Sequence, residues 1–426
     1  MRIIADFHIH SKYSRATSKN MDLPHISQWA KYKGIDLIGT GDFTHPLWLG
    51  QIKQELTEDG SGFLKLKEST IEEPIPGMGA GLRFILTGEI SSIYTQGGKV
   101  RKVHTLIFVP NLRTAAKINN RLTGIGNLYS DGRPILGLSA KDLAKLILDI
   151  NPDSLIIPAH VWTPWFSIFG SNSGFDSIEE CYGDLSKYIY SIETGLSSDP
   201  EMNWRLSPLD QITLISNSDA HSPANLGREA NVFEIEKDKF TYNEIADIIK
   251  TKDPKRFLYT LEFYPEEGKY HYDGHRNCHI VANPFETKYE NNLCPKCNKK
   301  LTIGVMNRVE KLADRKPGYT SENFPGSKHF VPLLEIIAAS HSLGVNSQRA
   351  IDEYLALVGR YGGEFPILLD MDDNQLEKSL PLKIVDGIRR VRTGNINIEP
   401  GYDGVYGKVK VFDAKIVSST KQTSLF

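Results

Sequence analysis

The sequence predicts an α/β fold in the amino-terminal half of the chain, arranged as a barrel or a doubly wound sheet. Short runs rich in Ile, Leu, Val and Tyr alternate there with helical or looped stretches. Several of these runs are apolar throughout, which is typical of strands buried on both faces. Alternation of strands with helices indicates a parallel sheet or a barrel rather than a sandwich.

Seven strands are predicted in this half, at residues 2–7, 36–40, 84–89, 102–108, 154–159, 188–194 and 213–217. Helical patterns lie between them, most clearly at residues 24–33 and 142–148. After Glu236 the alternation weakens. The later helical patterns fall at residues 242–250, 331–342 and 347–360, and residues 398–417 are predicted to be extended.

Length and composition exclude several classes of protein. The chain has 426 residues, with 50 Lys and Arg against 52 Asp and Glu, so it is not a globally basic nucleic-acid binder. At roughly 100–200 residues per domain, two or three domains are expected. Neither an apolar run long enough to span a membrane nor a secretion signal is evident. Four Cys, three of them clustered, favour a metal site in a reducing compartment, and we expect a cytoplasmic protein.

Acidic and imidazole side chains lie at or near the ends of all seven predicted strands. Because the carboxyl ends of barrel strands meet on one face, these side chains are predicted to form one metal site. Mixed His and carboxylate ligation suits Zn, Mn or Fe, whereas Mg prefers oxygen ligands. The candidate ligands are His8, His10, Asp42, Glu89, His104, His160, Glu193, Asp219 and His221.

A second metal site is predicted from two ligand pairs separated by 15 residues, His275-x-x-Cys278 and Cys294-x-x-Cys297. This spacing is typical of a zinc ribbon, in which two short hairpins hold one tetrahedral Zn. Four protein ligands leave no open position, so the role predicted for this Zn is structural. His271 and His279 are alternatives to His275 as the fourth ligand.

The loop that follows His160 is rich in aromatic residues and is predicted to lie beside the first metal site. A base extruded from a duplex is held by stacking between aromatic or apolar side chains. We therefore hypothesise that Trp162, Trp165 and Phe166 wall a nucleobase pocket.

Basic side chains suggest where phosphates could bind. Lys12 and Arg15, just after the first strand, are candidates for contacting a phosphate near the metals. Lys and Arg are also concentrated at residues 296–316 and 381–426, which favours contact of this half with a nucleic-acid backbone, although such runs are often only solvated faces. At the very end, the spacing of Gln422, Leu425 and Phe426 is similar to the start of a sliding-clamp-binding peptide.

The motifs together resemble the polymerase-and-histidinol-phosphatase (PHP) superfamily. The residues that carry the resemblance are Asp6-x-His8-x-His10, Gly41-Asp42, Glu89, His104, His160 and Asp219-x-His221. The resemblance implies a distorted seven-stranded (β/α) barrel that binds two or three divalent metals and hydrolyses phosphoesters. Many members have His where this chain has Phe43.

The PHP resemblance also implies roles for individual residues. It assigns one metal to His8, His10 and Asp219, and a second metal to His104 and His160 with Glu89 as the bridge between the two. His221 would belong to a third metal, and Glu89, Asp219 and His221 are the expected catalytic residues. Asp42 and Glu193 would supply oxygen ligands, or Glu193 would only orient a neighbouring ligand.

Over nearly its whole length the chain resembles the endonuclease Q family. The most specific phrases are Tyr270-His271-Tyr272-Asp273-Gly274-His275-Arg276 and Ile398-Glu399-Pro400-Gly401-Tyr402-Asp403-Gly404. The resemblance implies cleavage of DNA 5′ to a deaminated base (hypoxanthine, uracil or xanthine) or an abasic site. The pattern along the chain places domain boundaries near 240 and 305. With the resemblance, these give a PHP phosphoesterase at 1–240, a linker and zinc ribbon at 241–305, and a mainly helical, DNA-contacting region with an extended tail at 306–426.

Two other functions stay open at this point. A PHP phosphatase that acts on a small phosphate monoester, such as histidinol phosphate, would share the metal site but gives no reason for a zinc ribbon. A DNA-binding PHP protein that has lost catalysis would keep the ribbon, and Phe43 leaves that alternative open.

Overall fold

The computed structural model describes residues 1–67, 81–284, 292–321 and 323–412. It confirms an α/β architecture, built on a mixed sheet whose main path runs β15-β12-β11-β1-β2-β5-β4-β3. The hairpin partner β6 joins this path at β5 and pairs in turn with β8, and β7 also pairs with β5. Strands β9 and β10 form a separate parallel pair.

The strands occupy the following positions: β1 (Arg2–Asp6), β2 (Leu37–Gly39), β3 (Leu56–Glu58), β4 (Leu64–Leu66), β5 (Arg83–Gln96), β6 (Lys99–Val109), β7 (Ile135–Leu136), β8 (Leu155–Pro158), β9 (Ser191–Glu193), β10 (Thr213–Ile215), β11 (Ala230–Glu234), β12 (Phe257–Glu262), β13 (Asp273–His275), β14 (Ile280–Ala282), β15 (Gly326–His329), β16 (Asn397–Glu399) and β17 (Lys408–Lys410). Each of the seven runs predicted from the sequence overlaps one of these strands.

The helices are α1 (Leu23–Lys33), α2 (Pro46–Glu55), α3 (Leu112–Thr123), α4 (Ala140–Ile150), α5 (Ile178–Tyr182), α6 (Pro200–Asn203), α7 (Tyr242–Thr251), α8 (Val305–Leu312), α9 (Leu333–Ser340), α10 (Gln348–Tyr361), α11 (Asp373–Ser379) and α12 (Leu382–Arg392). Their ends follow local signals. In α1, the Asp22 side chain accepts a bond from the His25 amide, and Gly34 ends the helix at φ +83°. Among the described residues, no helix has both the length and the apolar character needed to cross a bilayer.

The seven predicted strands are buried on both faces along most of their length, as their apolar sequences predicted. In β1, Ile3 and Ala5 enter one apolar cluster, together with Phe7 just after the strand, while Ile4 enters a second, larger cluster. The smaller cluster is closed by Phe108, whose ring lies 5.0 Å from that of Phe7. This alternation follows from the period of two along a strand.

The apolar runs had suggested parallel strands, but several strand pairs are antiparallel. β5 and β6 form a long antiparallel hairpin, and β6 pairs antiparallel with β8. The reason is the Gly97-Gly98 turn, where φ values of +60° and +73° reverse the chain over two residues. A parallel partner would need a crossover connection, which two residues cannot provide.

The predicted domain boundaries near 240 and 305 remain a prediction. The main sheet continues past them, because β12 pairs with both β11 and β15. Helices α8 to α12 follow the second boundary, in line with a mainly helical region. The extended tail is described only as far as residue 412. Within this part, β16 and β17 pair as a small antiparallel hairpin.

Candidate metal centre

Two groups of potential ligands come together at the ends of the strands. The first ligand set contains His8, His10 and Asp219, and the second ligand set contains Glu89, His104 and His160. Within each set, the candidate ligand atoms lie within 4.8 Å of one another. These are the same two sets that the PHP resemblance assigned to two metals.

Three residues at these strand ends adopt left-handed backbone conformations. The φ angles of Asp42, His160 and Asp219 are +47°, +31° and +46°. Such angles are unfavourable for residues other than Gly, and they concentrate at functional sites. The close turn at His160 also requires Gly195, because a Cβ there would lie 2.4 Å from that of His160.

Glu89, a member of the second ligand set, also faces the first. One of its carboxylate oxygens lies near the histidines of each set. Its Oε1 is 2.7 Å from His104 Nδ1 and 3.1 Å from His160 Nε2. Its Oε2 is 3.4 Å from His8 Nε2 and 3.3 Å from His10 Nε2. A carboxylate with this placement can bridge two metal ions.

The first ligand set fits a metal ion because its ligand atoms are buried and lack hydrogen-bond partners among the described residues. His8 Nε2, His10 Nε2 and Asp219 Oδ1 are buried and make no hydrogen bond to any described residue. They converge nevertheless: Asp219 Oδ1 is 3.0 Å from His10 Nε2 and 3.8 Å from His8 Nε2. Buried polar atoms without partners are costly, and a cation between them would remove that cost.

Glu193 and Asp42 contact the opposite side of the histidine rings. The Glu193 oxygens are 2.9 and 3.0 Å from His8 Nδ1, and Asp42 Oδ1 is 3.0 Å from His10 Nδ1. The second Asp42 oxygen accepts bonds from Ser11 and Ser14. This geometry differs from direct ligation by both carboxylates and matches the orienting role considered for Glu193, because a carboxylate on one ring nitrogen fixes the other towards a metal.

Replacement of Glu193 by Gln should weaken metal binding by roughly 10–100-fold, the usual effect of losing a carboxylate behind a histidine ligand. Gln keeps the shape but loses the charge that fixes the His8 tautomer. Competition of the full chain with a chelator for Zn²⁺ measures the affinity. Glu234→Gln, at an exposed carboxylate paired with the chain's amino terminus, is the control. Equal affinities in both variants would remove the orienting role.

Burial and neighbouring charge set the ionisation states. Burial lowers the pKa of His104 to about 4, so its ring is neutral at pH 7. Burial by itself would raise the pKa of Glu89, but the Arg133 guanidinium holds it well below its ordinary value. Neutral imidazole and ionised carboxylate are the forms that bind metals.

Arg133 was not predicted from the sequence. Its Nη1 donates to Glu89 Oε2 at 2.9 Å, which brings a cation to the metal centre. The preceding residue, Gly132, permits this approach, because a Cβ there would lie 2.3 Å from an oxygen of Asp42. A Gly in a long loop, followed by Arg, was the available signal. Lys12 and Arg15, the predicted phosphate contacts, make no bond to either ligand set among the described residues.

His221 lies at the rim of the centre. Its ring is 4.4 Å from that of His10, and its Nδ1 is 2.9 Å from the Asp219 carbonyl oxygen. The side chain is about 30% exposed, more than any member of the two ligand sets. It therefore lies where the centre meets solvent.

An apolar cavity of about 730 Å³ adjoins the centre. Trp165 and Phe166 line it, together with Tyr270 and Tyr406. The Phe166 ring also lies 4.7 Å from that of His104, so one side chain touches both the cavity and the second ligand set. Trp162 does not line the cavity: it is buried in the core, where its indole donates to Asn203 at 2.8 Å.

The four predicted ribbon ligands also come together. Ligand atoms of His275, Cys278, Cys294 and Cys297 all lie within 4.8 Å of one another. Of the alternatives to His275, His271 is buried apart from this group, and its pKa is lowered by burial to about 4. His275 ends β13 of the β13–β14 hairpin, so the hairpin supplies the first ligand pair.

Some basic side chains of residues 296–316 form ion pairs within the protein. Arg308 is buried and pairs with Asp176, and Arg315 pairs with Asp210 at 2.5 Å. These side chains therefore hold α8 and the following loop against the first half. The exposed lysines of this region are Lys296, Lys299, Lys300, Lys311 and Lys316.

The basic end of α12 is likewise internal in part. Arg389 pairs with Asp373 and Glu377 of α11, and Arg392 donates to the Leu368 carbonyl. The predicted clamp-binding residues lie outside the described part of the chain. They are Gln422, Leu425 and Phe426.

Comparison with known proteins gives a family match in the carboxyl-terminal region. A family model described as the MJ0043 C-terminal domain matches residues 332–395, which include α9 to α12. The chain is also 31% identical over 276 residues to uncharacterized protein MJ0043 of Methanocaldococcus jannaschii. That alignment covers 63% of the chain and 34% of the relative, so it spans about a third of that protein's length.

Two crystal structures are similar over almost the entire chain. The lesion-specific endonuclease PfuEndoQ from Pyrococcus furiosus has a TM-score of 0.83 and 30% identity, with 98% of each chain covered. A complex of endonuclease Q with a 27-mer duplex substrate, which has an abasic lesion at the active site, has a TM-score of 0.82 and 30% identity. That match covers 99% of this chain and 100% of the other. The similarity therefore extends over the metal centre, the ribbon and the helices alike.

Proposed function

The chain belongs to the endonuclease Q family, and from this membership we propose that it is a metal-dependent DNA-repair endonuclease. It hydrolyses the phosphodiester bond 5′ to a deaminated base (hypoxanthine, uracil or xanthine) or an abasic site. Damaged DNA is its partner. The observation that carries the proposal is Phe166, which touches the second ligand set and also lines a cavity large enough to admit a nucleobase.

In this proposal, the catalytic residues bind divalent metal ions and supply charge to the site. Divalent ions held by the two ligand sets would lower the pKa of a water and offset the charge of the phosphate. Glu89 keeps the two sets together, and Asp42 and Glu193 keep the histidine rings in position. Arg133 adds positive charge beside the position of the phosphate.

A closed seven-stranded barrel is part of the same proposal. Its order would be β1, β2, β5, β6, β8, β9 and β10. Two backbone bonds support closure at the weak joints: Val161 N donates to Glu193 O at 3.0 Å, and His10 N donates to Ala220 O at 2.9 Å. Each bond lies next to a metal-centre residue, so closure would position the ligand sets.

We further propose that the four ribbon ligands hold one structural Zn. The three domains of the proposal are residues 1–240, 241–305 and 306–426. Clamp binding through the last six residues is a separate prediction from the sequence. It requires that deletion of residues 421–426 abolishes binding to a sliding clamp while nicking is kept.

End-labelled duplex DNA with one hypoxanthine, uracil or abasic site provides the direct test. With Mn²⁺ or Mg²⁺, we expect a single nick immediately 5′ of the lesion, and none with EDTA or undamaged DNA. Release of phosphate from a small monoester without nicking would assign the chain to the PHP phosphatases. Tight binding of the duplex without cleavage would favour the inactive alternative.

Replacement of Trp165 by Ala should reduce nicking beside hypoxanthine much more than nicking at an abasic site. Stacking of a base on an aromatic ring contributes about 1–3 kcal/mol, which corresponds to roughly 5–150-fold, and an abasic site has no base to stack. The ratio of the two single-turnover rates is the measurement. Tyr188→Ala changes an exposed aromatic residue outside the cavity and is the control. An unchanged ratio for Trp165→Ala would contradict the nucleobase pocket.

A further inference from the structure

A third cluster of potential metal ligands lies apart from the metal centre and the ribbon. Asp199 and Glu201, at the start of α6, approach His329 at the end of β15. The candidate ligand atoms of these three side chains lie within 4.8 Å of one another. His329 Nε2 is 3.2 Å from Asp199 Oδ2.

Glu262 lies next to this cluster, beside His329 in the sheet. It ends β12 and is the register partner of His329 in the parallel β12–β15 pair, so both side chains extend from the same face of the sheet. Glu262 is completely buried. Its Oε1 accepts a bond from Ser216 Oγ at 2.5 Å, but its Oε2 has no partner among the described residues.

The polar atoms of the cluster are incompletely satisfied without a cation. Glu201 bonds Ser327 through one oxygen, and its other oxygen, like Glu262 Oε2, is buried and has no partner in the described chain. Three carboxylates therefore lie near a single imidazole, and burial raises the pKa of both Glu201 and Glu262. The ion pair between His329 and Asp199 satisfies only one of these groups.

We propose that Asp199, Glu201, Glu262 and His329 bind one divalent cation that the two ligand sets and the ribbon do not account for. One imidazole with several carboxylates suits Zn²⁺, Mn²⁺ or Fe²⁺. The site joins the loop after β9, the end of β12 and the end of β15, and so links segments from all three predicted domains. Leu196 and Ser197 of the same loop line the apolar cavity, so the ion would also fix one wall of that cavity.

Metal counting on the intact chain tests this site independently of DNA cleavage. The parent protein and variants are saturated with Zn²⁺, desalted and measured by elemental analysis. Asp199→Asn keeps the helix cap, because Asn caps as well as Asp, and Glu262→Gln keeps the side-chain volume. We expect each of these variants, and His329→Gln, to bind one ion per chain fewer than the parent.

His341→Gln is the matched control, because His341 also pairs with a carboxylate, Glu353 at 2.7 Å, but joins no ligand cluster among the described residues. It should keep the parental count. Equal counts in the parent, Asp199→Asn and Glu262→Gln, with matching circular dichroism, would overturn the site. Because the readout is an ion count, loss of the repair activity in the parent would not affect the result.

Discussion

Replacement of Glu89 by Gln should abolish nicking while duplex binding persists. Glu89 faces both ligand sets and Arg133, and its ionised form is held by that guanidinium. Gln has nearly the same shape but no charge, so it cannot bridge two cations. We expect the single-turnover rate to fall by roughly 10²–10³-fold or more, the scale on which preorganised electrostatic groups contribute. Binding should persist because exposed basic residues elsewhere, not Glu89, are available to contact phosphates.

Glu236→Gln is the control for this experiment, since Glu236 is an exposed carboxylate that pairs with nearby Lys239. Asp219→Asn tests the first ligand set in the same way and should also abolish nicking. Parental rates in Glu89→Gln, with metal content unchanged, would show that the carboxylate neither bridges metals nor supports the reaction. Loss of both nicking and duplex binding would instead indicate a folding defect, which circular dichroism would detect.

Seven strands of the first half could be predicted because their sequences are largely apolar and end in turns. β15 could not, since its sequence is Gly-Ser-Lys-His and lacks any apolar alternation. It joins the sheet only because β12 offers a parallel edge to it. The β5–β6 hairpin was missed for a different reason: the Gly97-Gly98 turn was a local signal that the apolar pattern outweighed.

The ligand sets could be predicted because strand ends converge whatever the details of packing. The roles of individual carboxylates could not, because they depend on which ring nitrogen each one meets. Asp42 follows a strand as a ligand would, but it contacts the Nδ1 atom of His10. Trp162 and Trp165 lie in one aromatic loop, but Trp162 is buried, where it packs on Phe169 and donates to Asn203.

The ribbon is connected to the proposed nucleobase cavity through the residues at the start of β13. β13 begins just after Tyr270, which lines the cavity. The backbone at Tyr272 donates to the Gly401 carbonyl at 3.0 Å, and the Arg276 amide donates to Asp403 at 2.7 Å. The two phrases most specific to the family therefore pack against each other. A change at the zinc ligands should be transmitted to the cavity through these contacts.

Replacement of Cys294 by Ser should release one Zn per chain and unfold the ribbon locally. Zn binding contributes about 10–16 kcal/mol to the folding of such small units, and the described residues of this one include few other buried apolar side chains. We expect amides of β13, β14 and the 401–404 segment to lose hydrogen-exchange protection, and nicking beside hypoxanthine to fall with them. Cys181→Ala removes a buried thiol that joins no ligand cluster within the described part of the chain and should keep the parental zinc count. Retained zinc and protection in Cys294→Ser would contradict a four-ligand site, whereas lost zinc with unchanged nicking would separate the ribbon from the cavity.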